Sequence, residues 1–192
     1  GIYSMQGEYN KALEYHLKSL DIEKSSKRSN RPFVATIISN IGLVYNHQGD
    51  HKKAIEYYLE SHDIRKSLYG DTHPEIASSF QNIASAYDGQ GDSVKALEYY
   101  SKALDIRKSV YGENHPDTAN SCYSIGTVCH KQGANDKALE YYLKALGIVK
   151  SAYRESHPLV ATFSNSIGDV YYNLGEYEKA FEYLSSSLDI NK

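Results

Sequence analysis

Apolar residues recur at steps of three and four along residues 77–87, where Ala77, Phe80, Ile83, Ala84 and Tyr87 share one helical face. They recur again along 96–110 through Ala96, Leu97, Tyr100, Ala103, Leu104 and Val110. Two amphipathic helices are predicted, and the same pair returns along the chain. The segments "GEYNKALEYH", "GDHKKAIEYY", "GDSVKALEYY", "GANDKALEYY" and "GEYEKAFEYL" begin at 7, 49, 91, 133 and 175, a spacing of 42 without insertion. Each of the last four follows a first helix ("SNIGLVYNHQG", "QNIASAYDGQG", "YSIGTVCHKQG", "NSIGDVYYNLG"), whereas "GIYSMQG" matches only the tail of one. Pro32, Pro74, Pro116 and Pro158 suit first helical positions, and Gly49, Gly91, Gly133 and Gly175 suit the turn within each hairpin.

One hairpin cannot bury its apolar face alone, so hairpins must stack. The expected fold is all-α, a right-handed α-solenoid of stacked antiparallel helix hairpins forming a single array over 1–192. Residues 1–31 are a first repeat cut in mid-element, 32–73, 74–115 and 116–157 are full repeats, and 158–192 is the last.

Composition narrows the functional classes. With 41% hydrophobic and 23% charged residues the chain reads as soluble and globular. A net charge of −3 without blocks of like charge lacks the footprint of a nucleic-acid binder. No apolar run approaches the roughly 20 residues that span a bilayer, so no membrane partner is expected. The start has neither a signal-peptide pattern nor an initiator methionine, which suggests an excised fragment. Cys122 and Cys129, seven residues apart on one helix, are too distant for a disulfide. They read as free thiols, and a reducing, cytoplasmic location is expected.

The most conspicuous motif is a His-Pro pair, in "YGDTHPEIA", "YGENHPDTA" and "YRESHPLVA" at 69, 111 and 153. Proline holds the preceding residue extended, as a helix N-cap requires, so His-Pro ends one hairpin and starts the next. Gly70 and Gly112 suit a left-handed helix end. In "SNRPFVA" the joint survives with Arg31 in place of histidine, against a metal or proton-transfer role. One histidine per repeat cannot share an ion, His47 and His51 straddle the Gly49 turn, and Cys129 with His130 lacks the convergence of a nucleophilic site. No nucleotide-binding motif is present. The chain is read as a non-enzyme without metal or cofactor.

The pattern Ile-Gly/Ala-x-x-Tyr, Gly, Lys-Ala-x-Glu-Tyr-Tyr, Ala-Leu-x-Ile resembles the tetratricopeptide repeat. The 42-residue length and the Gly-x-x-His-Pro joint are most similar to kinesin light chain and nephrocystin-3-like repeats. The resemblance implies that first helices line a concave surface and second helices a convex one. It places Ser39, Asn40, Leu43, Asn46, His47, Gln81, Asn82, Ser85, Asp88, Tyr123, Thr127, His130, Asn165, Asp169 and Tyr172 in a peptide-binding groove. In kinesin light chains a first-helix asparagine holds peptide backbone; Asn40 and Asn82 match it, and Ser124 and Ser166 depart from it. Of 19 tyrosines, only Tyr123 and Tyr172 sit outside recurring positions, and both are expected as anchors. Lys131 against Asp88 and Asp169 argues against a carboxylate clamp and against the basic groove that accepts acidic cargo.

The expected function is a protein-interaction scaffold that binds a peptide or partner segment. The alternative is a structural or regulatory array that spaces an attached effector domain. Uncovered apolar residues in "ALEYHLKSL" and "KAFEYLSSSLDI" lead us to expect end-to-end self-association.

Overall fold

The computed structural model describes residues 2–26 and 30–190, with side chains from residue 7 onward. Tyr3, expected among the packing tyrosines, has its side chain outside the described residues. Nine helices are formed among the described residues: α1 Ile2–Ser25, α2 Arg31–His47, α3 His51–Tyr69, α4 Pro74–Gln90, α5 Ser93–Tyr111, α6 Pro116–Lys131, α7 Asn135–Ala152, α8 Pro158–Asn173 and α9 Tyr177–Ile190. They fall into two compact units, Gly1–Ile106 and Arg107–Lys192, with the boundary inside α5.

In the first unit α2 and α3 form a hairpin, with α1 packed on α2 and α4 packed on α3. Its core joins Leu20, Val34, Ile37, Ile38 and Ile41 in one cluster and Ala54, Ile55, Tyr58, Ile83 and Ala86 in another. In the second unit α6 pairs with α7 and α8 with α9, and α7 packs on α8. Ile125, Val128, Tyr142, Leu146, Phe163, Ile167 and Val170 are buried there. The close approach of paired helices is permitted at one position of the repeat. A Cβ on Gly42 would lie 2.8 Å from Tyr58 Cδ1, one on Gly126 2.7 Å from Tyr142 Cδ1, and one on Gly168 2.7 Å from Leu184 Cγ.

The hairpin turns follow from glycine in the left-handed region. Gly91 has φ 86° and ψ 3°, and the Asp92 amide donates to the Tyr87 carbonyl, closing the first helix. The second helix is then capped by the acid that follows. Asp50 accepts from the Lys53 amide at 3.2 Å and Asp92 from the Lys95 amide at 3.1 Å. In the third hairpin this position is Ala134, which makes no side-chain cap. Replacing Ala134 with aspartate is expected to stabilise the chain by about 1 kcal/mol. Thermal unfolding would show Tm raised by roughly 2–4 °C.

The His-Pro joints are caps. Nδ1 of His73, His115 and His157 accepts from the amides of Glu75, Asp117 and Leu159 at 3.2, 3.1 and 3.2 Å. Each imidazole stacks on the tyrosine four residues before it, with ring centroids 4.6, 4.4 and 4.1 Å apart for Tyr69, Tyr111 and Tyr153.

Three details differ from expectation. At the first joint the cap moves one residue upstream, where Asn30 accepts from the Phe33 amide and Arg31 already belongs to α2. Arginine has no acceptor atom, so the nearest residue that has one takes the role. Gly70 has φ 78° and ψ −177°, so it keeps the positive φ that glycine adopts readily but not the ψ of a left-handed helical end. Finally, α1 runs through Gly7 without the break that its place in the repeat predicts.

Candidate functional site

In the first unit α2 and α4 lie side by side. Asn82 Nδ2 donates to Ser39 Oγ at 3.3 Å, joining the two first helices. Ser39 is 7% exposed, so it supports the face instead of lining it, which corrects its expected place in a groove. Asn40, one residue on, is half-buried and makes no side-chain hydrogen bond among the described residues. Leu43, one turn further, is 45% exposed. Phe33, Asn40 and His47 recur at steps of seven, so with Leu43 they form a single stripe on α2.

The stripe ends in fixed residues. His47 stacks on Tyr9 with centroids 5.9 Å apart, and Asn46 Oδ1 bonds His51 Nδ1 at 2.7 Å. On α4, Gln81, Ser85 and Asp88 are half-buried. Ser85 hydrogen-bonds the Tyr100 hydroxyl, whose burial pushes its pKa up to about 12.

The second unit repeats this geometry with different chemistry. The Tyr123 and Ser166 hydroxyls are 2.9 Å apart, at positions 43 residues apart as in the Ser39–Asn82 pair. The Tyr123 ring stacks on Phe163 with centroids 4.4 Å apart and meets Tyr142 at 5.2 Å. Tyr123 is therefore a half-buried packing residue between neighbouring first helices, and only part of its ring faces solvent. Thr127 accepts from the Tyr142 hydroxyl at 3.2 Å, and burial raises Tyr142 to about 12. His130 Nδ1 lies 3.2 Å from Asn135 Oδ1, and Asn165 Nδ2 donates to Asp169 Oδ2 at 3.3 Å. Tyr172 is 62% exposed, its ring edge-on to Tyr177 at 5.6 Å.

Comparing repeats exposes two patterns that a search for recurring residues passes over. Positions 46 and 51, 130 and 135, and 172 and 177 clasp the two helices of a hairpin across its turn as Asn–His, His–Asn and Tyr–Tyr. The second pattern spans the seam between a second helix and the next first helix. Arg65 Nη1 donates to Ser79 Oγ at 3.3 Å and Arg107 Nη1 to Ser121 Oγ at 2.6 Å, whereas the corresponding pair in the last seam is Val149 and Phe163.

Cys122 and Cys129 are buried free thiols, and burial raises the pKa of both. Among the described residues no group of three or more His, Cys, Asp or Glu is arranged to hold a metal ion. No described helix is long and apolar enough to cross a membrane.

The chain belongs to the tetratricopeptide repeat family, whose model matches residues 1–54, 33–109, 89–151 and 122–192. Several solved structures share the fold. BtubC (BKLC) from P. vanneervenii is 19% identical with a TM-score of 0.84, over 98% of this chain and 75% of that one. A Podosopora anserina protein described as a kinesin light chain with nearly identical TPR-like repeats is 21% identical with a TM-score of 0.78, over 98% and 90%. The Rap conjugation gene regulator of the plasmid pLS20, solved in complex with the Phr* peptide, is 17% identical with a TM-score of 0.75, over 97% and 49%. No curated protein matches the chain. Arrays of this family are protein-interaction scaffolds, and that general role is the one this chain carries.

Proposed function

We propose that the α2–α4 face of the first unit binds an extended segment of a partner protein, with Asn40 and Asn82 hydrogen-bonding its backbone. The observation that carries this reading is the unengaged amide of Asn40 beside exposed Leu43. An asparagine amide both donates and accepts, as an extended backbone requires of its receptor whatever its side chains. Asn82 gives one N–H to Ser39, which orients the amide and leaves its carbonyl oxygen for a ligand amide. Phe33 and Leu43 offer apolar contact on either side of Asn40, so the segment carries small or apolar side chains at alternate positions. The peptide complex of the Rap regulator, built on the same fold, makes such a use structurally reasonable.

The test starts from a peptide selected from a displayed library against the intact chain. Its Kd is measured for wild type and for the N40A/N82A variant, with circular dichroism to confirm folding. Two lost hydrogen bonds of about 1 kcal/mol each weaken binding at least tenfold. Equal affinity for the two proteins would move the ligand off this face.

A further inference from the structure

We propose that the seam between α3 and α4 is an acid-sensitive joint, in which His62 must be neutral for α4 to stay seated on α3.

His62 is the exception in a series. Leu20, Leu104 and Leu146 hold the corresponding position in other repeats and are buried; His62 is 9% exposed in the same place. Its ring lies 4.7 Å from Phe80 of α4, and its Nδ1 has no partner among the described residues. A neutral imidazole can substitute for leucine in such a seam. An imidazolium cannot, because a desolvated charge without a partner is strongly disfavoured.

His73 lies at the other end of the same seam, as the N-cap of α4. Its Nδ1 accepts the Glu75 amide and its ring stacks on Tyr69 of α3. The same cap recurs at α8 with His157, so what sets the α3–α4 seam apart is His62.

The surrounding charges do not reverse this. From α3, Asp63 favours a charged His62 and Arg65 and Lys66 oppose it; Asp71, in the connection, favours it but is tied to Lys66 at 2.8 Å. From α4, Glu75 is bound to Arg65 Nε at 3.2 Å, and from α5 Lys102 lies over the Phe80 ring at 5.8 Å. Burial outweighs them and holds the His62 pKa below the ordinary histidine value of 6.5. A group depressed in this way leaves stability unchanged above that value. Stability is lost as pH falls below it, because the open state takes up the proton first.

The chain contains its own controls. The α2 N-terminus has an asparagine cap, Asn30, and Leu20 in the seam; α8 has the His157 cap with Leu146 in the seam. Hydrogen exchange of the intact chain, corrected for intrinsic rates, is compared between pH 7.5 and 5.5 at the first turns of α2, α8 and α4. Where the open state is charged and the closed state neutral, opening rises about tenfold per pH unit for each proton. Protection should fall more at α4 than at α8 or α2. H62L, which installs the leucine used elsewhere in the array, should bring α4 level with α8. Equal losses at the three sites, or a loss at α4 that persists in the variant, would overturn the proposal. So would an NMR titration of the wild-type chain in which the His62 ring titrates like an exposed imidazole, a readout independent of whether the variant folds.

Discussion

Replacing Phe163 with alanine is expected to destabilise the second unit by about 3–5 kcal/mol. Phe163 is fully buried, stacks on Tyr123 and stands where Ser79 and Ser121 stand in earlier repeats. Those serines face Arg65 and Arg107, whose long side chains fill the seam and hydrogen-bond them. At the last seam the opposing residue is Val149, too short to fill the space that a truncated Phe163 would leave. Phe163→Ser should therefore be as damaging as Phe163→Ala, although serine occupies the position in two other repeats. Urea unfolding midpoints of the two variants are the measurement, and a mild serine variant would contradict this account of the seam.

Gly126→Leu should produce the second largest loss, roughly 1–3 kcal/mol from overpacking. Even a Cβ at this position would lie 2.7 Å from Tyr142 Cδ1. The ring is buried and its hydroxyl is held by Thr127, so it cannot swing aside without losing that bond. Gly126→Ala should cost less, since Ala84 holds the equivalent position one repeat earlier and the chain accommodates a methyl there. Calorimetry of the two variants should rank leucine well below alanine in Tm; equal values would mean that the helices can separate locally at little cost.

Much of the fold was legible because a 42-residue period lets each repeat be checked against its neighbours. Turn glycines, His-Pro joints and helical faces all recur, and a feature seen in several copies is hard to misplace. The errors fall where one copy departs from the rest. Arg31 read as a substituted cap, but only the structure shows that Asn30 takes over, because capping depends on which side chain reaches an amide.

The candidate face was less legible for a related reason. Tyr123 stood out as an aromatic that the repeat did not require, which is also what a packing residue with an unusual neighbour looks like. Its neighbours Phe163 and Ser166 lie some 40 residues away, and Phe163 is non-recurring too. Ser39 failed as a groove residue because Asn82 covers it from the next first helix. Leu43 and Tyr172 are exposed, and Asn40 is half-buried. A comparison of non-recurring residues in pairs, rather than singly, would have found both the Arg–Ser seams and the Val–Phe seam.

Those seams bear on how such an array can be lengthened or recombined. Residues that fit one another sit on opposite sides of a His-Pro joint, in two successive hairpins, so a cut at the joint separates partners that depend on each other. Exchanging whole hairpins would set an arginine against Phe163, stranding a guanidinium, or Val149 against a serine, opening a void. A cut at the glycine turn inside a hairpin keeps each seam intact but divides the helix pair that meets at Gly42–Tyr58 and Gly126–Tyr142. The block that keeps matched seam residues together is thus a second helix, its joint and the following first helix, offset by half a repeat from the hairpin by which the family is recognised.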